Sequence, residues 1–195
     1  MKIALMLGHG KNKEGAIDGI DKDGDDGIYP DTIYTLESVL VRELGLKLTA
    51  KLMNNHEILI IRPNDEYVPL AERCNQANNY GADIVVSLHA NASANSNASG
   101  IETLYYETKT YTSKKGKKLA SEVQERLIHR SKAKDRGIKP RGDLYVLENV
   151  SPPAILIEVG FITNKQEEEK LHKKKYQEQL IEAIYEGVNN YEKSR

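Results

Sequence analysis

A chain of 195 residues is long enough for one substantial hydrophobic core and too short for two typical domains. Its 28 basic and 29 acidic side chains leave a formal net charge of −1, so no global field favours nucleic acid or an anionic membrane as partner. The single cysteine, Cys74, excludes an internal disulfide framework and a thiolate-rich metal site.

Along the chain, "KIALML" at 2–7 reads as a buried strand that stops at Gly8. This opening run is too short for the core of a signal peptide, and no later stretch approaches a membrane span, so neither an export signal nor membrane insertion is expected. A long loop rich in glycine and aspartate follows at 10–32, of the kind that often carries function. Its aspartates suggest calcium, but the EF-hand spacing fails. Counting from Asp21, positions 1, 3 and 5 are Asp21, Asp23 and Asp25, yet Asp26 stands where glycine is required and Thr32 where glutamate is.

A helix is predicted at 35–54, with Leu36, Leu40, Val41, Leu44, Leu48 and Leu52 on one face. Then come a strand "EILIIR" at 57–62, a helix at 69–80 that holds Cys74 as a small buried side chain, and strands "DIVVSL" at 83–88 and "IETLYY" at 101–106. A helix at 113–131 precedes a charged connection at 132–142, which contains two glycines and a proline. "DLYVL" at 143–147 is a weaker sixth strand, "AILIEV" at 154–159 a strong one, and a helix at 165–191 closes the pattern. The basic runs Lys114-Lys115-Gly116-Lys117-Lys118 and Lys173-Lys174-Lys175 read as solvated helix faces. Strands alternating with helices imply an α/β fold with a largely parallel or mixed sheet of about six strands, covered by helices on both faces. One domain over 1–192 with a short tail at 193–195 is expected.

In such sheets ligands collect at the carboxyl ends of the strands. His9 directly follows the strand at 2–7, His89 follows 83–88, and Glu158 ends "PAILIE". Either histidine alone is explained as a hydrogen-bonded structural residue; three unconnected strands delivering such groups to one edge is more informative. A carboxylate amid "PPAILIEVGF" is costly to ionise without a partner, so a nearby cation or a raised pKa is expected for Glu158. His56, His129 and His172 lie in polar contexts and read as surface residues.

Two histidines invite a third ligand, because catalytic zinc keeps three protein ligands and one open position. The helix at 35–54 offers Glu37 and Glu43. Glu37 falls near the middle of the apolar face and in the first turn, where the helix dipole favours a carboxylate, whereas Glu43 falls at or beyond the margin. Glu37 is the better candidate.

The segments "LGHG", "LESVLVREL", "ADIVVSLHANA", "GIETLYY", "DRGIK" and "ILIEVGFITN", in this order, resemble the zinc-dependent N-acetylmuramoyl-L-alanine amidases of type 3. The likeness is to the catalytic domains of phage and prophage endolysins and runs from residue 2 to about residue 190. It implies a single α/β domain and one zinc ion per chain, with His9 and His89 matching the zinc-binding histidines, Glu37 the zinc-binding glutamate and Glu158 the catalytic glutamate. The implied substrate is bacterial peptidoglycan, cut at the amide between the lactyl group of N-acetylmuramic acid and L-alanine of the stem peptide. Synthesis in a host cytoplasm with action on the wall after release, or an extracellular site of action, follows from the same likeness; either a wall-targeting module lies outside this chain or the enzyme binds the wall without one. Between His9 and Glu37 the chain is longer than the family usually shows, which implies a modified rim to the active-site groove.

Candidate substrate contacts are Arg136 and Arg141, read as loop residues that meet stem-peptide carboxylates or else stand exposed, and Asn91, which lies near the site or supports His89. Two other readings stay open: a zinc peptidase acting within the stem peptide, and a non-catalytic wall-binding module.

Overall fold

Strands that are apolar on both faces must be covered on both, and this requirement sets the architecture. The computed structural model describes residues 1–10, 37–64 and 66–195; Leu36 and almost all of the aspartate-rich loop lie outside the described residues. The elements follow in the order β1 (Lys2–Leu7), α1 (Glu37–Leu52), β2 (Glu57–Ile61), α2 (Leu70–Tyr80), β3 (Ile84–Asn91), β4 (Ile101–Tyr106), α3 (Lys114–Ser131), β5 (Asp135–Arg141), α4 (Tyr145–Asn149), β6 (Ala154–Phe161), α5 (Lys165–Leu171) and α6 (Lys174–Lys193). The strands form one sheet in the order β2-β1-β3-β6-β4-β5. Every neighbouring pair is parallel except β4 with β6.

Alternation along the strands divides the core in two. Ile3, Leu5, Leu7, Val86, Leu88, Ile155 and Ile157 point to the face covered by α1, α3 and α6. Ala4, Met6, Val85, Leu104 and Leu156 point to the opposite face, where α2 contributes Cys74 and Ala77 and α4 contributes Val146 and Leu147. In α1 the leucines at 40, 44, 48 and 52 are all buried, as the helical spacing requires, and full burial of each contributes about 1.5–3 kcal/mol. Among the described residues no helix is long and apolar enough to cross a membrane.

Several sequence expectations are corrected. "DLYVL" is not a strand: Val146 and Leu147 are consecutive and both buried, which a strand would send to opposite faces, and the short helix α4 tucks both onto one. The sixth strand is instead β5, inside the charged stretch expected to be a connection, so Arg136 and Arg141 are strand residues. β5 is an edge strand, where a proline and charges are tolerated because one row of backbone groups needs no partner. The helix expected at 165–191 is two helices. Asn164 caps the first by accepting from the Gln166 and Glu167 amides, and Gln177 of α6 donates to the Leu171 carbonyl left open at its end. His56 is buried, not a surface residue, because Asn189 of α6 packs against it at 3.1 Å. Finally, β3 and β6 continue past the expected ends, so His89 lies within a strand instead of after one.

Candidate metal centre and active site

The turn after β1 is built around close approach. A Cβ on Gly8 would stand 2.6 Å from His89 Nδ1 and 2.8 Å from the Leu88 carbonyl oxygen, so no side chain fits there. His9 follows in the left-handed region, φ 61°, a conformation held only when the surroundings impose it. Two buried arginines supply that constraint. Arg62 donates to the carbonyls of Leu7 and Gly8 and also to that of Ser38 in the first turn of α1, at 3.1, 2.7 and 3.0 Å. Arg73 donates to the carbonyls of Val68, Leu7 and His9. Arg62 thereby ties the end of β1 to the start of α1, which is what brings Glu37 alongside His9.

Glu37 is buried at the first position of α1, and its carboxylate reaches both histidines: Oε2 lies 3.0 Å from His9 Nε2 and Oε1 lies 3.1 Å from His89 Nδ1. The Ala90 amide donates to the same Oε1 at 2.9 Å and fixes the carboxylate from behind. Burial alone would raise its pKa, but the contacts with His89 and His9 outweigh that and bring it down to about 2. The two imidazoles meet nearly edge to face, with His9 Nε2 and His89 Nδ1 3.1 Å apart. Burial pushes the His89 pKa down, which favours the neutral ring. Its other nitrogen, Nε2, lies 3.1 Å from Ser87 Oγ, so the tautomer protonated on Nε2 leaves an Nδ1 lone pair facing the cluster. The ligand atoms of His9, Glu37 and His89 all lie within 4.8 Å of one another. Two ring nitrogens aimed at each other beside a carboxylate fit a divalent cation between them, and two nitrogens plus one oxygen suit zinc. Glu43, the rejected alternative, is exposed and bonded to Lys47.

Glu158 lies beside this cluster. Register pairs it with His89 on one side and Glu102 on the other, so the three occupy one row across β3, β6 and β4. Past Glu158 the register with β3 shifts, and Gly160 takes φ 150°, so β6 carries a bulge next to the row. Glu158 Oε2 is buried and has no hydrogen-bond partner among the described residues. Burial first, and then the charges of Glu37 and Glu102, push its pKa up to about 8. A buried oxygen without a partner is the property expected of a group that exchanges a proton with water or substrate. A cavity of about 220 Å³ opens beside His9 and His89, lined by Tyr67, Leu70, Tyr145 and Val146.

Glu102, which the sequence reading did not single out, has the opposite surroundings. Its Oε2 accepts from Arg136 Nε at 2.6 Å and from Lys139 Nζ at 2.5 Å. Burial would raise its pKa, but these two cations hold it below the ordinary carboxylate range. Asn91 Nδ2 lies 3.4 Å from Glu102 Oε1, and Asn91 Oδ1 accepts from the Ala92 amide, so Asn91 links His89's strand to Glu102. Arg141 is turned to Asp143, with two hydrogen bonds of 2.7 Å.

Comparison with known proteins places the chain in a family. The family model described as N-acetylmuramoyl-L-alanine amidase matches residues 3–190. The chain is 32% identical over 190 residues to the N-acetylmuramoyl-L-alanine amidase LytC of Bacillus subtilis (strain 168), covering 97% of this chain and 35% of that protein. It is 32% identical over 195 residues to the endolysin of Bacillus phage SPP1, covering 95% of this chain and 64% of the endolysin. The chain thus spans about a third of the first relative's length and somewhat under two thirds of the second's. Among solved structures, an N-acetylmuramoyl-L-alanine amidase from Clostridium difficile 630 superposes with a TM-score of 0.86 at 36% identity, covering 100% of this chain and 97% of that one.

Proposed function

This chain belongs to the N-acetylmuramoyl-L-alanine amidase family, and from that premise we propose that it hydrolyses the amide between N-acetylmuramic acid and L-alanine of the peptidoglycan stem peptide. The observation that carries the proposal is the convergence of His9, Glu37 and His89 beside the unpartnered carboxyl oxygen of Glu158. His9 through Nε2, His89 through Nδ1 and Glu37 through its carboxylate would hold one zinc ion. Bound there, zinc supplies Lewis-acid activation of water and of the scissile carbonyl.

The remaining work falls to the protein's own groups. Glu158 takes the proton of the attacking water at Oε2 and returns it to the leaving amine nitrogen. Its lack of a partner among the described residues keeps that oxygen available, and its burial matches its basicity to work near neutral pH. Ser87 orients the His89 ring, and the Ala90 amide orients Glu37, so the ligands need little rearrangement. The wall is the site of action on this reading.

Clearing of purified cell-wall suspensions, with and without a chelator, tests the function. The expected result is loss of turbidity with release of intact stem peptides, abolished by chelator and restored by zinc. Release of free amino acids would point to a peptidase, and binding without clearing to a non-catalytic wall module; either result overturns the proposal.

A further inference from the structure

Arg136 is held on two sides and open on a third. Its Nε donates to the buried carboxylate of Glu102 at 2.6 Å, and its guanidinium lies over the Phe161 ring, 4.8 Å from the centroid. Phe161 is itself buried at the end of β6, so this stack is a fixed floor. Nη1 and Nη2 have no hydrogen-bond partner among the described residues, and the side chain is 27% exposed. A guanidinium with Nε anchored and its face stacked presents its remaining donor edge in one orientation, which is the geometry that takes a carboxylate through two parallel hydrogen bonds. Lys139 shares the Glu102 oxygen and is 41% exposed, with donors left over after one bond. Two partly exposed cations on one carboxylate leave a net positive charge.

We infer that Arg136, with Lys139 beside it, forms a carboxylate-binding site that takes an acidic residue of the stem peptide close to the scissile amide. This rests on the amidase reading and deepens it. The spacing fits. Glu102, the anchor of the pair, stands two strands from His89 in the same row, about 10 Å at the usual separation between strands. An extended peptide advances about 3.3–3.6 Å per residue, so a carboxylate on the second stem residue comes within reach of the long Arg136 and Lys139 side chains while the scissile carbonyl lies at the metal ligands. Glu102 is a positioning residue here: buried and already saturated with cations, it aims them and is not itself open to substrate.

The test uses two muropeptides that differ only in whether the second stem residue carries a free or an amidated α-carboxylate. The wild-type enzyme is expected to prefer the free acid by about tenfold in kcat/KM, mostly through KM, the size of one charge-assisted contact. Arg136→Gln is expected to bring the ratio close to one, and Arg136→Lys to restore only part of it, because the charge returns without the fork. In parallel, calorimetry on the metal-free protein with the two released stem peptides reads binding without turnover and should show the same preference, lost in Arg136→Gln. Equal cleavage and equal binding of the two substrates by wild type, or an undiminished preference in Arg136→Gln, overturns the carboxylate site and leaves the amidase reading standing. Failure to cleave either muropeptide overturns the amidase reading and the site with it.

Discussion

Glu158 and Glu102 face each other across β6 and β4, on the same side of the sheet, yet their halves of the site are built on opposite rules. On the β6 side a buried carboxyl oxygen has no partner among the described residues, and its pKa is pushed up. On the β4–β5 side a buried carboxylate holds two cations, and its pKa is pushed down. The first arrangement costs stability and, on the proposed mechanism, keeps a proton mobile; the second uses charge to hold side chains still. Two chemically identical groups about one strand spacing apart therefore carry different jobs, decided by their neighbours alone.

The comparison can be broken at several points. The largest effect is expected from His89→Ala: zinc content should fall from about one per chain to near zero with the fold retained, read by metal analysis and circular dichroism. Undiminished zinc there would falsify the ligand assignment. Glu158→Gln is expected to lower kcat by about 10²–10⁴-fold while zinc stays bound. The same variant should keep or raise the melting temperature of the metal-free protein, since it removes a buried group with an unmet partner.

Glu102→Gln should behave in reverse and more mildly, losing about 1–2 kcal/mol of stability in denaturant titrations because Arg136 and Lys139 lose their common anchor. Because the cations hold Glu102 below its unfolded pKa of about 4.3, its stabilisation is fully present above that pH and lost as pH falls through the lower folded value. The gap between wild type and Glu102→Gln is therefore expected to close below about pH 4. The smallest effect belongs to Arg141→Ala, which breaks an exposed pair with Asp143 and should shift stability by less than about 0.5 kcal/mol.

What could be read in the sequence follows from the same physics. His9, His89 and Glu158 were legible because each interrupts or ends an apolar run, and Glu37 because it falls on an apolar helix face. Glu102 gave the same signal inside "IETLYY", a lone carboxylate in a strand, and could have been found by the reasoning applied to Glu158. Arg62 and Arg73 were not legible, since nothing in a sequence says that a guanidinium turns inward to collect the carbonyls of a turn. β5 was missed because an edge strand needs neither apolar alternation nor every amide, so "DRGIKPR" carries no strand pattern. Its partner error, "DLYVL", shows the limit from the other side: five residues are too few to separate period two from period 3.6.

The position of β6 has a consequence in time. β6 follows the other five strands in the chain, yet it enters the middle of the sheet, between β3 and β4. A chain still being synthesised already carries His9, Glu37 and His89 before residue 158 is made, but it lacks both the strand that joins the two halves and the glutamate on that strand. Such a nascent chain could gather a metal and still not cut. Hydrolytic competence would then arrive in one late step, with insertion of β6, a long-range pairing of the slow-forming kind. On the amidase reading, synthesis of the chain is in this way separated from its activity by the order of its own strands.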